Sequence, residues 1–355
     1  MSRVLYGERS WNPLARTVEL TGDRLRRGMS TTPLTELNLG AMAEAYLRGQ
    51  WLGGGGAERP LDALPQGSGV VPVTRATGTA VPVKARQASE FARALGELAV
   101  ERCGGPQQVA ALAARAGAEG VPLWIARRYA HGPAGPIAVA VDRRLARADV
   151  WGPQAPVVRV RAPHGFRGAS AGTAQGLVLT VGEVTAELRL SRKLRKSKSS
   201  VEVRLPGVCW QLRRESATNS WLLRDERRVA LLGKPPSGPA HDPETVLLPL
   251  SPVRHESADP MDAVMAHVFA VTFGLGDTTG TARFRAKPAA RAGAEPLASD
   301  GDWGLPWFSN LGTGSDDNQP GGGDGWGADG GDGGDGGGWG DGGDSGGGDG
   351  GGGGD

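Results

Sequence analysis

Cysteine is almost absent from this chain: Cys103 and Cys209 are the two it has, and they stand far apart in unrelated surroundings. No disulfide framework and no thiolate metal site can be assembled from them. No apolar run of roughly eighteen residues or more occurs, so a membrane-spanning helix of ordinary length is not expected. Met1 to Leu14 carries Arg3 and Arg9 but no continuous apolar stretch of the kind a secretory signal needs. These absences together lead to the expectation of a soluble, cytoplasmic protein. Positive charge is missing from one end: residues 300–355 hold 12 Asp and no Lys, Arg or Glu. The net charge is +2, so with 40 cations against the remaining 26 carboxylates residues 1–299 carry +14. The chain is a basic body followed by an acidic tail.

That tail has almost nothing to bury. Residues 321–355 are 23 Gly, 8 Asp, 2 Trp, 1 Ala and 1 Ser, a composition expected to remain disordered. It either solvates and repels, or it competes with a polyanion for the basic surface of the body. Before it, Trp303, Leu305, Trp307 and Phe308 form an apolar island. Trp303 and Trp307 there either staple the linker onto the body or, with the tail, dock a protein partner.

The most ordered stretch runs from Val184 to Gly276. Asp259-Pro260 reads as a helix start, since Asp accepts hydrogen bonds from first-turn N–H groups and Pro at the first position gives up only an orphan donor. From Met261 to Phe273 the residues are apolar on every face, interrupted by Asp262, His267 and Thr272, and Gly274 and Gly276 end the run. Such a helix must be buried, and about fourteen residues falls short of the roughly twenty that a bilayer core requires. Burial within its own domain follows. Upstream, Val184 to Ser191, Val201 to Leu205 and Val208 to Arg213 alternate apolar with polar, the period of half-buried strands. Trp221 to Leu223, Val229 to Leu232, Val157 to Val160, Leu177 to Val181 and Thr245 to Leu250 bring the count to about eight.

In element order, residues 157–275 resemble the tubby-like C-terminal domain family, including its LURP-one and scramblase-related branches. The resemblance rests on a curled antiparallel sheet followed by the apolar helix Met261 to Phe273. It implies a closed barrel threaded by that helix, and binding to anionic membranes or partner proteins without catalysis. It assigns no lipid-contact residue in this chain.

Nearer the N-terminus, Thr17 to Leu20 reads as a short strand and Leu34 to Leu52 as a helix capped by Thr32. Residues 53–86 read as a long loop or linker, with an edge strand at Val70 to Val73 interrupted by Pro72. A helical hairpin is expected over residues 89–117, its two helices separated by Gly104-Gly105. Through Ala113-Ala114-Arg115-Ala116-Gly117 residues 89–129 resemble the helix-turn-helix of TetR-type repressors. That likeness implies a DNA-reading helix from Val121, on which Arg127 and Arg128 are the side chains suited to DNA-binding. Ile137 to Val141 reads as a strand, and Trp151-Gly152-Pro153 marks a domain boundary.

Candidate chemistry is sparse. Arg192, Lys193, Arg195, Lys196 and Lys198 are five cations within seven residues, between two alternating strands. They form a candidate polyanion-binding hairpin for an anionic lipid surface or nucleic acid; the alternative is a solvated tip that discourages edge pairing. No aromatic is interleaved, so base stacking is not indicated. Histidines 131, 164, 241, 255 and 267 have no ligand spacing, and His267 on the buried helix reads as a satisfied core histidine. Gly168-Ala169-Ser170-Ala171-Gly172 has nucleophile-elbow spacing but runs on into a strand, not a helix. No catalytic residue, metal site or cofactor is therefore assigned.

The expected fold is α+β: a small mainly helical N-terminal region (1–150), an antiparallel, barrel-like β-rich domain ending in a buried apolar helix (151–280), and a disordered linker and Gly/Asp-rich tail (281–355). The expected function is that of a non-catalytic binding protein, with a helix-turn-helix DNA-binding regulator as the alternative.

Overall fold

The structure is a computed structural model, and it describes residues 3–8, 17–142, 146–162, 176–234, 247 and 249–284. Of the candidate strand Thr245 to Leu250, residues 245, 246 and 248 lie outside these residues and Leu247, Pro249 and Leu250 are not in a strand; Ser170 and its flanking glycines, His164, His241, Trp303, Trp307 and the tail also lie outside.

The α+β class with a barrel-like sheet is what the chain adopts. Eleven strands follow one another as an antiparallel meander: β9 (Arg127–Gly132), β10 (Gly135–Asp142), β11 (Arg147–Trp151), β12 (Val158–Arg161), β13 (Val178–Val181), β14 (Val184–Ser191), β15 (Ser200–Leu205), β16 (Val208–Arg214), β17 (Asn219–Arg224), β18 (Arg227–Gly233) and β19 (Val253–His255). Each pairs with the next, so sequence order and spatial order coincide. The sheet curls around α4 (Pro260–Thr272), which packs against β9 to β12 at one edge and β18 and β19 at the other. The backbone of His131 on β9 reaches the ring of His255 on β19, which brings the two edges of the sheet nearly together.

Alternation along each strand puts one set of side chains inside. Leu190, Val201, Leu212, Leu222, Ala230 and His255 lie opposite one another across six strands in one continuous row. Val141, Ala148, Val160, Leu179 and Ala186 make the corresponding row on the other wall. Between the walls sits α4, buried continuously from Asp262 to Thr272. Each fully buried Val or Phe there contributes about 1.5–3 kcal/mol relative to exposure.

The ends of α4 hold the polar groups that burial would otherwise strand. At the N-terminus Asp259 accepts a hydrogen bond from the Met261 amide at 2.8 Å, the cap expected from Asp-Pro. One turn in, the buried carboxylate of Asp262 accepts from Trp210 Nε1 (2.9 Å), Ser257 Oγ (2.7 Å) and Arg224 Nη1 (3.3 Å). Its negative charge also lies at the positive end of the helix dipole. At the C-terminus the Arg283 amide donates to Thr272 O and its guanidinium to Ala270 O.

The eleven-stranded sheet begins at Arg127, so the boundary expected at Trp151-Gly152-Pro153 lies within it: Trp151 ends β11 and pairs with Ala138. Residues preceding β9 build a second core. It contains β1 (Val4–Gly7), β2 (Val18–Thr21), β3 (Arg24–Arg27) and β4 (Ser30–Pro33) as one sheet, the hairpins β5 (Gln50–Leu52)/β6 (Glu58–Pro60) and β7 (Gly69–Thr74)/β8 (Ala80–Ala85), and helices α1 (Leu39–Leu47), α2 (Ala88–Arg102) and α3 (Pro106–Glu119). The helix expected over Leu34 to Leu52 is shorter, because Asn38 and not Thr32 caps it, its Oδ1 accepting from the Ala41 amide. Arg48 and Gly49 then turn the chain into β5. Residues 53–86 are not a linker: Val71, Val73 and Val83 point into the core, and Pro72 and Pro82 face each other across a two-stranded ribbon where missing N–H donors cost nothing.

An arginine cluster ties the two cores together. Asp149, fully buried on β11, takes Arg147 (2.9 Å), Arg159 (2.7 Å) and Arg161 (2.5 Å). Arg147 and Arg159 also donate to Gly120 O, and Arg159 to Glu119 O, covering the carbonyls that α3 leaves free at its C-terminus. Three cations of the basic body are thus consumed internally.

Val268 is fully enclosed, so an aspartate there would be an unpaired charge with no route to water. Its cost is comparable to a whole net stability of roughly 5–15 kcal/mol. Val268→Asp is expected to give insoluble or unfolded protein, whereas Val268→Ala melts cooperatively at a lower temperature. A soluble, cooperatively melting Val268→Asp variant, seen by calorimetry, would contradict the enclosed helix.

Candidate polyanion-binding loop

The five clustered cations lie together on the connection between β14 and β15. Ser191 and Ser200 are the last paired residues, and residues 192–199 project beyond them. This loop is held in shape from within. The Lys193 amide donates to Ser199 Oγ at 3.0 Å, Lys198 N donates to Arg195 O at 2.8 Å, and Lys196 to Lys198 form one turn of 3₁₀ helix. Ser199 is buried beneath, while every residue from Arg192 to Lys198 is exposed.

Beneath the loop runs the segment that follows α4. Asp277 receives Lys196 Nζ at 3.1 Å and Arg214 Nε at 2.7 Å, and these partners hold its carboxyl below the usual carboxylate range. Lys193, Arg195 and Lys198 make no ion pair among the described residues. Gly280 has φ 96°, and a Cβ there would stand 2.5 Å from Ser191 O, so a residue without a side chain lets this segment pass against the base of the loop. Among these cations stands Leu194, wholly exposed at 107%. Two determinants of this surface were not read from the sequence. Asp277 is one, 81 residues from Lys196 and 63 from Arg214. Leu194 is the other, since nothing about a lone leucine among cations says which way it points.

The second set of predicted site residues is placed differently. Helices α2 and α3 form the expected hairpin, but α3 ends at Gly120 in the left-handed conformation, residues 121–126 turn, and the chain enters β9. Arg127 and Arg128 therefore stand on a strand, not on a DNA-reading helix. The Arg127 side chain pairs with Glu119 at 3.2 Å and donates to the carbonyls of Val121, Pro122 and Ile125.

Comparison of the chain with protein-family models, curated proteins and solved structures finds no match. The reading of the surface therefore rests on its own chemistry.

Two other places carry polar groups or space. A groove of about 590 Å³ lies between α1 and α3, lined by Ala41, Leu52, Ala116 and Trp124, with Arg48 at its rim paired to Glu44 and Glu58. Inside the barrel, His267 on α4 faces His255 on β19, ring centroids 5.6 Å apart. His267 is a core histidine but not a satisfied one, since neither ring nitrogen has a hydrogen-bond partner. Among the described residues no group of three metal-competent side chains forms around them.

Burial, and then the neighbouring His255, push the His267 pKa down to about 3, and burial lowers that of His255 as well. A histidine whose folded pKa is depressed binds fewer protons when folded. Its neutral form therefore supports the fold fully above the unfolded pKa near 6.5, and that support is lost as pH falls toward 3. Between pH 7.5 and 5 His267 is expected to cost about 2 kcal/mol of stability. Urea midpoints at pH 7.5 and 5 are the measurement: the native chain loses stability and His267→Leu flattens the loss. An equal slope in both would exclude His267 as its source.

Proposed function

We propose that this chain is a non-catalytic binding protein whose loop Arg192–Lys198 recognises an anionic membrane surface. The observation that carries the reading is one short, internally braced loop that presents Lys193, Arg195 and Lys198 to solvent around a wholly exposed Leu194. Cations near an anionic bilayer gain about 1 kcal/mol each. An apolar side chain among them favours lipid over nucleic acid, because a bilayer offers it acyl chains to enter at about 1.5–3 kcal/mol for full burial, whereas a phosphodiester backbone offers none. Absence of an aromatic stacking residue in the loop points the same way.

Co-sedimentation with vesicles of phosphatidylserine and phosphatidylcholine, beside filter binding to DNA and RNA at low and moderate salt, tests the assignment. Lys193→Gln, Arg195→Gln and Lys198→Gln together are expected to weaken vesicle binding by about a hundredfold, and Leu194→Ser alone by about tenfold. Binding to DNA or RNA that ignores Leu194→Ser would reassign the loop to nucleic acid. Affinity that falls with Arg127→Ala and Arg128→Ala while ignoring the loop variants would favour the DNA-binding regulator. Indifference to vesicles and nucleic acids alike would remove the proposal.

A further inference from the structure

We infer that the loop Arg192–Lys198 is also the docking site of the chain's own acidic C-terminal segment, residues 300–355, which an external polyanion must displace. This rests on the loop being an anion-binding surface, as proposed above, and it names a resident occupant.

Three observations converge. First, the loop already binds a carboxylate from the chain that follows α4: Lys196 is held by Asp277, which Arg214 orients from the other side. Second, the chain that leads to the tail passes the loop. Residues 276–280 pass against its base, with Gly280 against Ser191 and Ser199, and Phe284, seven residues beyond Asp277, is anchored in the barrel core. Fifteen residues lie between Phe284 and Asp300, and a chain of that length can span up to roughly 50 Å when extended, enough to reach the loop. Third, the charges complement each other. The segment offers 12 Asp and no cation of its own, and Lys193, Arg195 and Lys198 have no ion partner among the described residues. Tethering makes the encounter intramolecular, at an effective concentration on the order of millimolar, so weak individual Asp–Lys contacts suffice for occupancy.

Lysine distribution makes the contact readable. The chain has six lysines, and Lys193, Lys196 and Lys198 are three of them, the others being Lys84, Lys234 and Lys287. Carbodiimide joins a lysine to a carboxylate only in direct contact. In the full chain, monomer isolated by gel filtration and digested for mass spectrometry should show Lys193 and Lys198 linked to aspartates of residues 300–355. Those links should exceed links to Lys84, exposed on β8, by several-fold. Lys287 neighbours the tail in sequence and serves as the positive control for the chemistry. The excess should collapse in high salt, where the screening length falls from about 10 Å to about 3 Å. Equal yields at Lys84 and the loop lysines, or loop links confined to cross-linked dimers, would overturn the inference. As a second reading, the full-length chain with its 12 tail aspartates changed to Asn should bind phosphatidylserine vesicles several-fold more tightly than the native chain. Unchanged affinity would also overturn it, while leaving the loop as a membrane site. Loop–tail links in a protein that ignores vesicles would uphold the docking and refute the membrane assignment instead.

Discussion

Enclosure of one apolar helix by one curled sheet is the constraint on which the molecule depends. Helix α4 has no polar face to give to water, so it must be surrounded, and a two-layer packing would leave half of it wet. An eleven-stranded antiparallel meander surrounds it because strands β10 to β18 each place apolar side chains inside and every strand pairs with its sequence neighbour. The enclosure sets the remaining polar requirements. Asp262 brings a carboxylate into the core and is matched by Trp210, Ser257 and Arg224, while Arg283 meets the carbonyls at the other end. His267 is the departure, with two unmatched nitrogens in the same core, beside His255 where the sheet edges approach each other.

Charge is distributed by a division of labour. The strong positive balance of residues 1–299 is not one basic face. Arg147, Arg159 and Arg161 converge on the buried Asp149 and on the end of α3, where they join the barrel to the N-terminal core. Arg127 is likewise spent on Glu119 and nearby carbonyls. Among the described residues the densest run of exposed cations is the loop between β14 and β15, partly countered by Asp277. The segment that follows α4 runs beneath this same loop, with Asp277 against Lys196 and Gly280 against Ser191.

Much of the β-rich part was legible residue by residue. Alternation over Val184 to Ser191 and Val201 to Leu205 located β14 and β15, and it placed the cations on their connection, because a period of two fixes both the strands and the turn between them. Asp259-Pro260 fixed the start of α4 through capping chemistry that needs only neighbouring residues. Where the signal was short it failed. The ribbon β7/β8 was hidden by Pro72 and Pro82, which disqualify a central strand but are harmless when they face each other in a two-stranded pair. The Leu34 to Leu52 helix was overlong because its apolar spacing continues into β5, whose Trp51 is buried for tertiary reasons.

The sequence by itself determined the elements whose cause is local: a helix apolar all round, the alternating strands, the caps, the basic cluster and the separation of a basic body from an acidic tail. Only the tertiary structure decided which charges are spent and which are presented, because that depends on partners far apart in the chain. Arg127 and Arg195 look alike in the sequence, yet the fold turns one onto Glu119 and the end of α3 and leaves the other in water. Asp277 and Lys196, 81 residues apart, meet because the sheet curls around α4 and returns the chain to the loop it had left.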